Sequence, residues 1–136
     1  MLKHLTIVIP TFNGIVRLVH LCEWAKKHNF GGELIVASSD AVDYSSYFSD
    51  FAFVRFLHCH KTNVLEAMVI AFQNVNTRYC CYLGDDDLPT LSSYQKCCDF
   101  LDDNHEYGSA GGAMGFVDYV AFLKFNKLDL VKKICS

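Results

Sequence analysis

Apolar residues along this chain fall into two kinds of run, and the two alternate. Leu5-Thr6-Ile7-Val8-Ile9 is a continuous β-branched stretch ended by Pro10, as expected of a central parallel strand covered on both faces. Leu18, Leu21, Cys22 and Ala25 then recur at helical spacing until Asn29-Phe30-Gly31-Gly32 stops the pattern. Glu33-Leu34-Ile35-Val36-Ala37 predicts a second buried strand, opening onto Ser38-Ser39-Asp40. Ala41 to Asp50 has no clear period and reads as a loop or short helix, and Phe53-Val54-Arg55-Phe56-Leu57 predicts a third strand. Val64, Leu65, Met68, Ala71 and Phe72 mark an amphipathic helix that Thr62 or Asn63 can cap. Tyr79-Cys80-Cys81-Tyr82-Leu83 predicts a fourth, buried strand, after which Pro89-Thr90 opens a helix carrying Leu91, Tyr94, Cys98 and Leu101. The Gly-rich Ser109–Gly115 segment leads to a strand around Ala113–Val117, and a last amphipathic helix runs from about Tyr119 to Ile134.

Strands that alternate with helices imply a parallel sheet joined by right-handed crossovers. In such sheets ligands bind beyond the carboxyl ends of the strands, where the strand order reverses. Three polar clusters fall at that kind of position: Pro10-Thr11-Phe12-Asn13-Gly14, Ser38-Ser39-Asp40 and Gly84-Asp85-Asp86-Asp87. The last is the most telling. Carboxylates at successive positions repel one another and need a cation, hydrogen-bond donors or open water. A divalent metal carrying a phosphorylated ligand is one reading, and a solvated turn before the next helix is the other. Three clusters on one sheet edge favour a site over three separate turns.

Composition narrows the classes. The 136 residues suffice for one domain with its own core, and 51% hydrophobic with 20% charged content is ordinary for a compact protein. A formal charge of -3 without a Lys/Arg cluster gives no footprint for nucleic acid. The apolar stretches fall short of the ~20 residues that a membrane span needs. Met1-Leu2-Lys3-His4 lacks a signal-peptide layout, so the expected location is cytoplasmic. Seven cysteines, four of them in the adjacent pairs Cys80-Cys81 and Cys97-Cys98, suit free thiols better than a disulfide framework. His58-Cys59-His60 has metal-ligand residue types, but no second pair lies at a structural-zinc spacing.

Taken together, the strand-plus-Pro10-Thr11-Phe12-Asn13 opening, Asp40 after the second strand, and Tyr82-Leu83-Gly84-Asp85-Asp86-Asp87 resemble the nucleotide-binding half of the family 2 glycosyltransferases. The match covers roughly Leu5 to Val117. It implies a three-layer, Rossmann-like (GT-A) fold, a mostly parallel sheet flanked by helices and truncated relative to the full fold. Residues 1–136 form a single domain on this reading, with 1–117 the donor-binding core and 118–136 a C-terminal helix.

The resemblance implies transfer of a sugar from a nucleotide-diphosphate sugar, a UDP-sugar first among them, to a glycan or lipid-linked acceptor. Pro10, Thr11, Phe12 and Asn13 would line the base, Ser39 and Asp40 the base or ribose, and Asn63 a further ligand contact. Asp85, Asp86 and Asp87 resemble the DXD-type motif that holds Mn²⁺ or Mg²⁺ against the diphosphate. Asp86 or Asp87 is the direct ligand on this reading, and Asp85 is placed for the ribose or for supporting contacts behind the metal; the register is open. A homo-oligomer covering an exposed sheet edge, and a peripheral association with the inner face of a membrane, are partners it allows.

The sequence departs from the family at two places. Ser38-Ser39 precedes Asp40 where relatives have an acidic residue directly, and His60-Lys61-Thr62-Asn63-Val64 lacks the usual Gly. Full domains of this fold also run on the order of 200 residues or more. No catalytic residue is assigned; Asp118 caps the last helix more simply than it serves as a base. The alternative is a catalytically silent module of the same fold that binds a nucleotide, a sugar or a protein. Phosphotransfer domains usually carry their acids after the first strand, where this chain has Pro10-Thr11-Phe12-Asn13, and no Gly-rich phosphate loop is present. Tyr44, Tyr47 and Phe48 read as a packed loop, with a lid over the ligand as the second choice.

Overall fold

In a computed structural model that describes residues 2–112, the chain is an α/β protein built on a four-stranded, all-parallel sheet. The elements are β1 (Leu5–Thr11), α1 (Ile15–Lys27), β2 (Glu33–Ser38), β3 (Val54–His58), α2 (Val64–Gln73), β4 (Tyr79–Tyr82) and α3 (Leu91–Asp103), with one 3-10 turn at Ser45–Phe48. The strand order is β3-β2-β1-β4, a Rossmann-like arrangement with helices on both faces. The strand expected around Ala113–Val117 and the last helix lie outside the described residues.

β1 and β2 are central and buried along nearly their whole length, which is why both read as unbroken apolar runs. Ile7, Ile9, Leu34 and Val36 face α1, whose buried stripe is Ile15, Leu18, Leu21, Cys22 and Ala25, with Leu91, Tyr94 and Cys98 of α3 packed alongside. Val8, Ile35 and Ala37 face the other way onto Ala67 and Ala71 of α2. β1 does not stop at Pro10 as expected; it continues through Pro10 to Thr11, paired with Ala37 and Ser38. The Val8 carbonyl accepts from Leu83 N–H and the Thr11 carbonyl accepts from Ser39 N–H, so alternate residues of β1 address β4 and β2. Pro10 shares the side of Val8, and β4 has already ended at Tyr82. Its missing N–H therefore costs the ladder no bond.

Two expectations are corrected. The stripe of α2 against the sheet is Ala67 and Ala71, with Met68 and Phe72 at its margin; Leu65 and Val64 are exposed. Small side chains bring this helix close to the sheet. β4 is an edge strand among the described residues, and only Tyr79 and Cys81 turn inward, while Cys80 and Tyr82 are exposed. The aromatic loop packs as read at Phe48, which is buried and stacks on Phe56 at 5.2 Å, and at Tyr44, which lies against the core; Tyr47 stands exposed. At the sheet's amino end, the buried Thr6 hydroxyl meets Thr77 and Glu33, and Glu33 pairs with Arg55. Among the described residues no buried side-chain polar atom lacks a partner.

The described cysteines are free thiols. Burial pushes Cys22 from the ordinary thiol value of 9.0 up to about 12. Burial likewise pushes Cys81 up to about 11, against a smaller opposing hydrogen bond with Tyr94. Both thiols hold their protons in the folded chain at pH values where the unfolded chain has lost them. Their contribution to stability is thus complete below pH 9.0 and is lost as pH rises through about 11 and 12. Thermal melting across pH 8 to 11 is expected to fall above 9, with a shallower fall in Cys22→Ala. At pH 8 a thiol reagent should modify the exposed Cys80 first, and Cys22 only after denaturant is added, as peptide mass mapping would show.

Candidate functional site

The strand order reverses between β1 and β4, so their carboxyl ends flank the crevice where sheets of this type hold ligands. Thr11, the last residue of β1, is 2% exposed, and its hydroxyl donates to Asp85 Oδ2 at 2.6 Å. That bond ties the tips of two strands that are far apart in sequence. Arg17 in the first turn of α1 donates from Nη2 to the other carboxylate oxygen, Oδ1, at 3.2 Å. Asp85 keeps only 17% of its side chain exposed, so its charge is held by a hydroxyl and a guanidinium in place of bulk water.

Gly14 makes this possible. A Cβ there would lie 2.1 Å from Asp85 Oδ2 and 2.3 Å from Thr11 Oγ1. The carboxylate sits where any other residue would project its side chain, against the N-terminus of α1, an end that favours negative charge. Asn13, at φ 56, turns the chain from β1 into the helix in the left-handed region that Asn tolerates.

On the other side of the same loop stands Asp40, 4% exposed. Its Oδ1 accepts the Asn13 backbone N–H at 2.9 Å, and its Oδ2 accepts the Ser38 hydroxyl at 2.8 Å. The Asp40 carbonyl accepts from His58 Nε2 at 2.9 Å, which places a hydrogen on that nitrogen. Ser39 donates its backbone N–H to the Thr11 carbonyl at 3.0 Å. Pro10–Gly14 is therefore gripped by Asp85 on one side and Asp40 on the other. Phe12, between them, is 58% exposed and packs on no core.

The three carboxylates of the triplet are not equivalent. Asp85 points inward, as above. Asp87 folds back, its Oδ2 accepting the Gly84 backbone N–H at 3.2 Å. Asp86 is exposed and makes no hydrogen bond among the described residues. All three border an open cleft of about 310 Å³, with Arg17, His20 and Trp24 on its opposite wall. Hard carboxylate oxygens suit Mg²⁺ or Mn²⁺. Among the described residues no three His, Cys, Asp or Glu side chains converge on one point, so a cation here would take one or two carboxylates and complete its shell from water or ligand.

The structure thus gathers Pro10, Thr11, Phe12, Asn13, Ser39, Asp40 and Asp85–Asp87 along one sheet edge. Asn63 has a different task locally: its side-chain oxygen accepts the Glu66 N–H at 2.9 Å, and the Glu66 carboxylate accepts the Asn63 N–H at 2.8 Å, a capping box for α2. Lys61 is exposed at φ 66. His58 and His60 stack at 5.8 Å, and no metal group forms around them among the described residues. Arg17 is not legible as a site residue, and Gly14 reads as part of the turn without showing that Asp85 fills the space beside it. A cation in a helix's first turn opposes the macrodipole, which is a signal that an anion lies close by.

The fold is a glycosyltransferase-like α/β architecture. One solved structure that it resembles is S. aureus TarS 1-349, with a TM-score of 0.60 and 14% identity over 74% of this chain. This chain spans 33% of that structure's length, and at such identity the likeness is one of fold alone. No protein-family model matches the sequence, and no curated protein matches it. Among the described residues no helix is long and apolar enough to cross a membrane.

Gly14→Ala is expected to cost about 1–3 kcal/mol, the usual range for forcing an extra methyl into a packed place. Chemical denaturation should show Gly14→Ala and Asp85→Ala to be less than additive when combined, because the second change removes the carboxylate that the new methyl strikes and leaves the Thr11 hydroxyl room to turn aside.

Proposed function

We propose that this chain is the donor-binding part of a glycosyltransferase, taking a nucleotide-diphosphate sugar with a divalent cation at the acidic triplet. The observation that carries the reading is the Thr11–Asp85 bond across the strand-order reversal. It brings an open aromatic ring, a gripped turn and exposed carboxylates to one edge of a glycosyltransferase-like fold. Phe12 offers its ring to the base, and the Asp40-braced turn beside it shapes the base and ribose end. Asp86 and Asp87, exposed at the cleft, would hold Mn²⁺ or Mg²⁺. When bound, such a cation supplies Lewis-acid stabilisation of the departing diphosphate.

Asp85 serves this site as a fixed support. Its oxygens are engaged by Thr11 and Arg17, so it would add negative potential for a cation held by its neighbours without needing to move. A UDP-sugar is the first candidate donor, and a glycan or lipid-linked acceptor belongs to the same proposal.

In a thermal-shift panel of UDP-, GDP-, dTDP- and CMP-sugars, at least one nucleotide is expected to raise the melting temperature by several degrees with Mn²⁺ present and by far less without it. Asp86→Ala with Asp87→Ala should abolish the metal-dependent part and leave the unliganded melting temperature nearly unchanged. No metal-dependent shift with any of these nucleotides would sink the proposal.

A further inference from the structure

In the donor reading so far Arg17 only braces Asp85, and its surroundings call for more. It occupies the first turn of α1, where the helix N-terminus repels a cation, whereas the other basic residues of that helix, Lys26 and Lys27, occupy the favourable last turn. What holds it there is Asp85. Only Nη2 is engaged, in a single bond of 3.2 Å, and the remaining donors of the guanidinium make no hydrogen bond to the described residues. The side chain is 53% exposed and borders the same cleft as Asp86 and Asp87. It is a half-used fork at the rim of a concentrated negative charge.

We infer that Arg17 is the internal counter-ion of the acidic triplet, competing with the divalent cation for it and presenting its free donors to the diphosphate once the cation is bound. The inference rests on the metal–diphosphate reading above. Three carboxylates and one guanidinium leave the equivalent of two negative charges, which one divalent cation neutralises. The arriving diphosphate then restores negative charge beside Arg17, whose planar donors match phosphate oxygens. Arg17 therefore acts with opposite sign on the two ligands: it weakens the cation and strengthens the diphosphate.

A merely structural Arg17, needed only to hold Asp85 in place, would give a different result. Its loss would loosen the triplet and weaken both ligands together.

The test is Mn²⁺ binding to the chain without nucleotide, followed by electron paramagnetic resonance, and UDP binding at saturating Mn²⁺, followed by calorimetry. Arg17→Gln is expected to bind Mn²⁺ about five-fold tighter, as for one unit charge removed from about 8 Å of a divalent ion in water. The same variant should bind UDP with Mn²⁺ at least several-fold more weakly. Arg17→Lys, which keeps the charge, should keep the wild-type Mn²⁺ affinity. Weakening of both ligands in Arg17→Gln, no change in either, or an equal Mn²⁺ shift in Arg17→Lys overturns the inference while leaving donor binding intact. Wild-type chain that binds neither Mn²⁺ nor UDP overturns both.

Discussion

The hydrogen bond from Thr11 to Asp85 is the constraint on which the rest of the site depends. It joins the end of β1 to the turn after β4, the two strands between which the order of the sheet reverses. Hydrogen bonds to a charged group contribute about 1.5–3 kcal/mol each, and removing one partner from a mostly buried carboxylate costs more than the bond contributed. Asp85 therefore cannot swing freely into solvent, and the turn that carries it cannot drift from β1. Its neighbours inherit that position. Asp86 and Asp87 lie at the cleft because the residue before them is pinned.

A second carboxylate completes the arrangement from the other side. Asp40 uses both oxygens on Asn13 and Ser38, and its carbonyl receives His58, so the ends of β1, β2 and β3 are locked together. Between the two anchors runs the Pro10–Gly14 turn, whose shape needs Pro10 where a ladder bond is no longer wanted, Asn13 in the left-handed region, and no side chain at Gly14. Each residue of that short segment answers a different local requirement. Phe12 alone has no structural duty there, and an exposed aromatic held on a rigid turn is suited to meeting a flat ligand.

Much of this was legible in the sequence, for physical reasons. Central parallel strands are covered on both faces, so β1 and β2 had to be continuous apolar runs, and the clusters after them had to lie on one edge. β4 escaped because Tyr, Cys and Leu in succession look fully buried. Its half-exposed alternation follows from its place at the sheet's edge, which no local pattern encodes. On α2 the expected Met68, Ala71 and Phe72 do pack toward the sheet, but Val64 and Leu65 do not, because close packing on the sheet selects the small Ala67 beside Ala71. Arg17, and the role of Gly14 in making room for Asp85, escape the sequence because the partner lies far along the chain; Arg17 and Asp85 are separated by 68 residues. Contacts of that range become visible only once topology sets the strand order.

The triplet shows why adjacency in sequence does not mean equivalence in chemistry. Three neighbouring carboxylates cannot share one environment, since their mutual repulsion grows as water is excluded. Here each takes a different solution. Asp85 is neutralised inside by a hydroxyl and a guanidinium, Asp87 is drawn back onto the Gly84 amide, and Asp86 remains in open water. The division follows from the backbone: one residue is fixed by β1, another closes the turn, and the one between them must project outward. The carboxylate with the fewest partners is also the one that a cation reaches with the least displacement. A structural turn would gain nothing from concentrating two further charges beside one that is already satisfied. Held against each other by β1 and α1, those extra charges are the repulsion that the proposed divalent ion would offset.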